Sequence, residues 1–174
     1  MSKIKWSLQY AWLTVKHKYF VFLAGRDLGL GCWQLLIHDL SKFTAVELPA
    51  YGRSFFGDKG DPDGFARAWL HHQNVNPHHW EYWMPRTGHV QSGPKPPAPL
   101  EMPEKYVREM IADWLGASRG YTGSWDMTDW LAKHLPRIET NLHPTTARLV
   151  RKLAGNKLKR EQHSPSPGSQ ESRK

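Results

Sequence analysis

Apolar residues recur at helical spacing through the first 24 residues of the chain. They form two stripes along this segment. Because residues three or four apart share one face of a helix, the pattern predicts a helix over residues 1–24. Since both stripes are apolar, we expect this helix to lie at the centre of the fold. The first stripe contains Leu8, Trp12, Val15, Tyr19 and Phe22, and the second contains Trp6, Tyr10, Leu13, His17 and Phe20.

The rest of the chain shows helical periodicity and no strong alternation of the kind that is typical of strands. Asp63 is predicted to cap one helix, and Asn76 to cap a short helix that begins with Pro77. The sequence therefore predicts an all-α fold, a compact single-domain helical bundle. Further helices are expected over residues 30–42, 63–73, 103–116, 128–133 and 145–153, with turns over residues 27–31, 52–62 and 119–126.

Two segments stand out by composition. Residues 86–103 contain five prolines and two glycines, which is typical of a long surface loop. From residue 155 onward the chain is rich in Ser, Pro, Gln and Lys, with five basic and two acidic residues. We therefore expect a helical domain over residues 1–154, with a proline-rich loop at 86–103, and a disordered basic tail over residues 155–174.

Length and composition exclude several classes of protein. The 174 residues suit one domain, and a hydrophobic fraction of 39% with nine Trp can bury a core. The longest uncharged apolar-rich stretches, 6–15 and 28–37, are shorter than the roughly 18 to 20 residues that a membrane-spanning helix needs. No signal peptide is expected, because residues 16–18 interrupt the apolar N-terminal segment with Lys-His-Lys. The single cysteine, Cys32, cannot form an internal disulfide, so we expect a cytoplasmic protein.

The formal net charge is +8, of which the tail carries +3 and the rest of the chain +5. A basic surface suits a polyanionic ligand such as a nucleotide or a nucleic acid. The same charge is equally compatible with no particular ligand. Charge alone therefore does not choose between these interpretations.

Ten histidines are many for this length, and six of them precede the proline-rich segment in a distinctive order. Imidazole and carboxylate groups suit divalent ions such as Zn²⁺, Mn²⁺ and Fe²⁺. Asn76-Pro77 turns the chain between two histidine pairs, so both pairs can point into one pocket. The residues therefore predict a site for one or two divalent ions. Their order is His17, His38-Asp39, His71-His72 and His78-His79, followed after the loop by Asp113.

This order resembles that of the HD-domain metal-dependent phosphohydrolases, all-α proteins with a His, a His-Asp pair, further His and a late Asp. Residues 38–42 read His-Asp-Leu-Ser-Lys, close to the HD-x-x-K pattern of that family. The segments around the two later histidine pairs are also similar to small, largely uncharacterised HD-like proteins of phages and bacteria. The resemblance covers roughly residues 10–116 and implies a helical bundle of the HD type.

The resemblance implies a phosphohydrolase that acts on a nucleotide or a related phosphate ester, with a metal-activated water as nucleophile. One or two divalent ions (Mn, Zn, Co, Mg or Fe) would serve as the cofactor. The resemblance does not choose between the members of the two later histidine pairs. The implied ligands are His17, His38, Asp39 and Asp113 for the first ion, and His71, His72, His78 and His79 for the second.

Neighbouring residues suit the same chemistry. Asp39 can be shared by two ions, because a carboxylate has two oxygens. Lys42 follows Asp39 by three positions, and its ammonium is expected to hold a phosphate oxygen or to stabilise transition-state charge. Glu109 lies one helical turn before Asp113 and is expected to orient a histidine or to act as a general base.

Three further residues are assigned by position. Trp80, beside the last histidine pair, is a candidate for stacking on a base. Arg119 is a candidate contact to a phosphate. Glu47 is expected at the surface or beside a ligand rather than as a ligand itself.

Two other functions remain open from the sequence. Some HD-domain proteins are di-iron oxygenases with a very similar ligand set, and abundant histidine with a bridging carboxylate suits iron equally well. A non-enzymatic helical module, stabilised by a metal and binding nucleic acid or a protein, is the third hypothesis. Structural zinc sites are usually rich in cysteine, which counts against this module. A small-molecule phosphate is the expected partner, no membrane is expected, and the sequence leaves self-association open.

Overall fold

The computed structural model describes residues 3–85 and 98–162, with side chains as far as residue 155. Within these ranges the chain is helical and contains no strand. The all-α prediction is confirmed. The α-helices are α1 (Lys3–Asp27), α2 (Cys32–Ile37), α3 (Leu48–Phe56), α4 (Pro62–Val75), α5 (Glu104–Thr122), α6 (Thr128–Glu139) and α7 (Pro144–Gln162), with 3-10 helices over Leu40–Phe43 and Trp80–Trp83.

Helix α1 packs against α3 with its N-terminal half and against α5 with its C-terminal half. In the first contact Tyr10 stacks on Tyr51 of α3, with ring centroids 5.1 Å apart. In the second contact Val21 lies against α5 so closely that a Cβ on Gly116 would stand 2.5 Å from its Cγ2. The two contacts join a small core around Tyr10 to the main core between α1, α5 and α7.

Helix α1 lies between α3 and α5, as a central helix should, but only one of its two apolar stripes is largely buried. The second predicted stripe faces the interior, where Tyr10 and His17 are buried. The first stripe faces outward except at Phe22, which packs against the main core, and Trp12 is 72% exposed. The helix needs only one face for its contacts with α3 and α5, and no described part of the chain covers the other. Its apolar periodicity therefore reflects two surfaces with different environments.

The predicted helix over residues 30–42 is interrupted at the His-Asp pair. Helix α2 ends at Ile37, and Asp39 has a positive φ of 57° before the 3-10 helix begins. This left-handed conformation is uncommon outside glycine, although Asp tolerates it better than most residues. The break turns the carboxylate of Asp39 inward, where the residue is fully buried.

Several other boundaries differ from the predictions. Helix α3 occupies part of the predicted turn over residues 52–62. Asp61, rather than Asp63, caps α4, since its carboxylate accepts a hydrogen bond of 2.8 Å from the amide of Gly64. Asn76 ends α4 as its C-cap rather than capping a new helix at Pro77, and the next element is a 3-10 helix over Trp80–Trp83 that His79 precedes.

The C-terminal helices are longer than expected. Helix α5 continues through Thr122, so the predicted turn begins only at Gly123, whose φ of 78° ends the helix. Helix α6 continues to Glu139 through Pro136. Helix α7 continues to Gln162, past the expected start of the tail. Most of the predicted loop, residues 86–97, and the tail over residues 163–174 lie outside the described residues. No described helix combines the length and apolar character that crossing a membrane requires.

Candidate metal centre

Five elements deliver the predicted ligands to one buried region. Helix α1 contributes a histidine from its inward face, and the break after α2 contributes the His-Asp pair. The last turn of α4 and the turn that follows it contribute three more histidines, and α5 contributes an aspartate. The residues are His17, His38, Asp39, His72, His78, His79 and Asp113.

The first ligand group joins α1, the break after α2 and α5. The Nε2 of His17 lies 2.9 Å from Oδ1 of Asp113. The Nε2 of His38 lies 3.4 Å from Oδ2 of Asp39 and 3.5 Å from Oδ1 of Asp113. These four residues offer ligand atoms that all lie within 4.8 Å of one another, a spacing that one metal ion can bridge.

The second ligand group contains Asp39, His72, His78 and His79. The Nε2 of His72 lies 3.3 Å from Oδ1 of Asp39, and the Nε2 of His78 lies 3.4 Å from the same oxygen. Asp39 therefore directs Oδ2 toward His38 and Oδ1 toward His72 and His78. A carboxylate shared in this way between two groups of imidazoles has the arrangement of a bridging ligand.

Several of these atoms are buried without a hydrogen-bond partner among the described residues. A buried polar atom left unpaired costs about 1–3 kcal/mol, so such a cluster calls for an explanation. A divalent cation accepts the lone pairs of neutral imidazoles and carboxylates, and it would satisfy the cluster at once. The residues therefore fit a metal. The unpaired atoms are Nε2 of His38, His72, His78 and His79, and Oδ1 of Asp39.

Two buried glutamates fix the far sides of the histidine rings. The Nδ1 of His38 donates to Glu109 at 2.9 Å, and the Nδ1 of His72 donates to Glu47 at 2.9 Å. A carboxylate on Nδ1 holds the proton there, which leaves the Nε2 lone pair free for a metal. Gln34 in turn donates to Glu109 at 2.5 Å. The glutamates thus orient histidines that could bind a metal.

The carboxylates of the centre are held ionised. Burial opposes the charge of Asp39, but His38 and Lys42 outweigh it and keep the pKa of Asp39 well below its usual range. Burial likewise opposes the charge of Asp113, but the neighbouring imidazoles of His17 and His38 outweigh it and keep the pKa of Asp113 well below the usual range. The region therefore carries negative charge that requires cations.

Two histidines of the second group, His78 and His79, are held neutral. Burial lowers the pKa of His79 well below its usual range, and the charges of His78 and His72 act in the same direction. Burial also lowers the pKa of His78. A neutral imidazole is the form that binds a metal. In the first group burial lowers the pKa of His38, but Asp39 and its other acidic neighbours outweigh burial and raise it to about 9. Without a metal His38 thus carries a proton on Nε2 as well as on Nδ1, and a metal ion bound at Nε2 would displace that proton.

Two lysines lie beside the centre. The Nζ of Lys42 is 2.5 Å from Oδ2 of Asp39. Burial lowers the pKa of Lys42, but Asp39 raises it more, and the net effect is a raised pKa. The Nζ of Lys18 donates to the backbone oxygens of Leu36 and His38 and so ties α1 to the break after α2.

The structure distinguishes the members of the first histidine pair. His72 is buried with its Nε2 toward Asp39, whereas His71 is half-buried and its Nδ1 donates to Glu47 at 2.7 Å. His71 belongs to none of the ligand groups in the described residues. Both members of the second pair, His78 and His79, belong to the second group.

Two predicted substrate contacts have other neighbours. Trp80 is half-buried and packs against the main core. The guanidinium of Arg119 lies over the rings of Phe20 and Trp125, 5.7 and 6.0 Å from their centroids. Arg119 stands six residues after Asp113 on α5, and a helix rotates by about 100° per residue, so it faces away from Asp113. Neither side chain makes a contact that supports its predicted role.

Glu47 takes the second of its two expected positions, beside a candidate ligand rather than at the surface. Its carboxylate is fully buried and holds both His71 and His72. The available signal was a single acidic residue within the apolar segment 45–51 (Ala-Val-Glu-Leu-Pro-Ala-Tyr). A lone carboxylate in such a segment is costly to bury unless it is paired.

Comparison with known proteins identifies a family whose function is unknown. No curated protein and no solved structure matches the chain. A family model described as a family of unknown function, DUF5662, matches residues 7–156. The matched range contains every residue of the two ligand groups, as well as Glu47 and Glu109. These comparisons do not indicate the HD-domain superfamily, so the resemblance to it remains a prediction from the residues alone. Since the match covers most of the chain, the protein belongs to the DUF5662 family.

Proposed function

We propose that the protein is a metal-dependent phosphohydrolase that acts on a nucleotide or a related phosphate ester. The observation that carries the proposal is the position of Asp39 between two groups of histidines. A pair of divalent ions bound there would supply a hydroxide at neutral pH and neutralise charge on a phosphate. The order of ligands along the chain, with Lys42 after the His-Asp pair, is the order of the HD-type hydrolases that the sequence resembles.

The charge of the centre supports a phosphate substrate. Four carboxylates lie in or beside it, against the ammonium groups of two lysines. Two divalent cations would therefore leave a net positive charge, and a phosphate ester carries the complementary negative charge. The carboxylates are those of Asp39, Asp113, Glu109 and Glu47.

The residues of the centre would have different roles in this reaction. His17, His38 and Asp113 would hold one ion, with Asp39 shared. Glu109 acts as a positioning residue, because its carboxylate is engaged by the Nδ1 of His38 rather than free to act as a base. Its role in orienting a histidine is thus the more favoured of the two expected roles.

Lys42 is the residue suited to contact the phosphate. Its ammonium neutralises Asp39 at 2.5 Å, and its side chain remains 16% exposed, so it lies at the boundary between the buried centre and solvent. An ammonium at that boundary can donate to a phosphate oxygen and stabilise charge as the phosphoester bond breaks.

The test is phosphate release from a panel of nucleoside mono-, di- and triphosphates and simple phosphate monoesters, with added Mn²⁺ or Co²⁺. We expect release that requires metal and falls more than about 100-fold in Asp39→Asn. Asp63→Asn, at an exposed position of α4, is the matched control and should retain activity. Absence of release from every substrate by the metal-bound wild-type protein would contradict the proposal.

An HD-type di-iron oxygenase is the second candidate. The observation in its favour is that the two ligand groups are rich in imidazole, a donor that suits iron as well as zinc or manganese. A Mössbauer signal from bound iron together with oxygen consumption would support it. Exclusive binding of Zn²⁺ or Mn²⁺ without oxygen consumption would remove it.

A further inference from the structure

A cavity lies close to the metal centre, between the C-terminal part of α5 and the start of α6. Its volume is about 510 Å³, which falls within the roughly 300–1,000 Å³ typical of small-molecule sites. Three aromatic side chains form much of its wall, and hydroxyl and carboxylate groups complete it. The principal lining residues are Trp114, Ser118, Tyr121, Asp126, Asp129 and Trp130.

The cavity continues along the helix that carries Asp113. Ala117, which lines it, follows Asp113 by four residues, or about 6 Å along the helix axis. Tyr121 follows one turn later. The cavity and the metal centre are therefore neighbours.

The aromatic walls are open to a ligand. Trp114 and Trp130 lie with ring centroids 5.2 Å apart, tilted by 51°. Trp130 also stacks on the ring of His134, with centroids 4.9 Å apart. It nevertheless remains 39% exposed, and Tyr121 is 59% exposed, so both line the cavity with ring surface that a ligand can reach. Such surfaces stack on planar rings, and the gain is largely independent of which base is bound.

Some polar groups of the cavity stabilise the turn between α5 and α6, and one is available to a ligand. The hydroxyl of Ser118 donates to backbone oxygens of Ser124 and Asp126, each at 3.0 Å, which fixes the turn between α5 and α6. The carboxylate of Asp126 accepts from the amide and hydroxyl of Thr128. Asp129 lines the same cavity and is exposed, so its carboxylate can accept hydrogen bonds from an incoming ligand.

We propose that this cavity binds the nucleobase of a nucleotide whose phosphate lies at the metal centre. A flat ring would stack on Trp130 and Tyr121, and amino or imino groups on its edge would donate to Asp129. The assignment of the phosphate rests on the proposed function. The assignment of the base does not, because a nucleoside without phosphate should bind by itself.

The experiment is calorimetric titration of the whole chain with adenosine, guanosine, cytidine and uridine, and with ribose as the control ligand. We expect at least one nucleoside to bind and ribose not to bind. Trp130→Ala should weaken nucleoside binding by about five- to 150-fold, and Trp130→Phe should largely restore it, since stacking needs only a ring. Trp33→Ala is the matched control, since Trp33 is 75% exposed on α2 and does not line the cavity.

The outcomes separate this inference from the proposed function. Nucleoside binding without phosphate release from any nucleotide would support the cavity and contradict the hydrolase. Phosphate release without nucleoside binding would support the hydrolase and overturn the cavity. Equal nucleoside affinity in the wild type and in Trp130→Ala, with both proteins folded by circular dichroism, would also overturn it.

Discussion

The Nε2 of His72 lies 3.3 Å from Oδ1 of Asp39, and both residues are fully buried. Neither atom has a hydrogen-bond partner among the described residues. The opposite side of the His72 ring is tied to Glu47. Glu47 thus holds the proton of His72 on Nδ1, and the lone pair on Nε2 points at the carboxylate of Asp39. This arrangement favours a metal between the two atoms.

Adjacent histidines should therefore differ in their effect on metal binding. His72→Ala removes a ligand of the second group and should weaken binding of Mn²⁺ or Zn²⁺ at that group by more than about 100-fold. His71→Ala removes only a partner of Glu47 and should change the affinity by less than about threefold. Equilibrium dialysis followed by elemental analysis measures both. Similar losses of metal affinity in the two variants would mean that His71 and His72 do not differ in the way described.

The glutamates behind the rings should act through their histidines. Glu47→Gln and Glu109→Gln keep the volume of each side chain and remove its charge, so the Nδ1 protons of His72 and His38 are held less firmly. Each change should weaken metal binding by about 10- to 100-fold. Isothermal titration with Zn²⁺ gives the affinity. Unchanged affinity in both variants would show that the glutamates do not orient ligands.

Metal binding should stabilise the fold. An ion present at 100 times its Kd adds about 2.7 kcal/mol per site to the free energy of unfolding, which corresponds to a rise in Tm of about 5–10 °C. Scanning calorimetry with and without Mn²⁺ measures the shift. Asp63→Asn should show the wild-type shift, and Asp39→Asn should show little of it. Identical shifts in these two variants would point to binding elsewhere.

The close contact of α1 with α5 should make the stability of the fold sensitive to a side chain at position 116. A Cβ on Gly116 would lie 2.5 Å from Cγ2 and 2.8 Å from the backbone nitrogen of Val21, so Gly116→Ala should destabilise the fold by about 1–3 kcal/mol. Gly120→Ala is the control on the same helix, since its Cβ would lie 3.9 Å from Phe20. That change should be neutral or stabilise the fold by up to about 1 kcal/mol. Denaturant unfolding distinguishes them, and equal stability of the two variants would contradict the packing described.

Spacing along the chain predicted the helical class, and the order of His and Asp residues predicted most of the residues that the structure brings together in the two groups. Side chains on helices follow a fixed rotation per residue, so repeated apolar positions reveal helices. The same rotation explains why the choice within His71-His72 stayed open. Adjacent residues point about 100° apart, and only the rotation of α4 against the rest of the fold decides which one faces Asp39.

Other features depend on tertiary contacts, which the pattern of residues along the chain does not reveal. The break at Asp39 uses a left-handed backbone without a glycine to signal it. The partners of Glu47 lie on another helix, so no local spacing reveals them. The outward face of α1 is as apolar as the inward one, and periodicity does not tell a buried stripe from an exposed one.

Anomalous diffraction from crystals of the Mn²⁺-loaded protein tests the central claim most directly. The account predicts two manganese peaks on opposite sides of Asp39, one among His17, His38 and Asp113 and the other among His72, His78 and His79. Crystals of Asp39→Asn should lose at least one peak. A loaded protein with no manganese beside Asp39, or with both peaks unchanged in Asp39→Asn, would contradict the account.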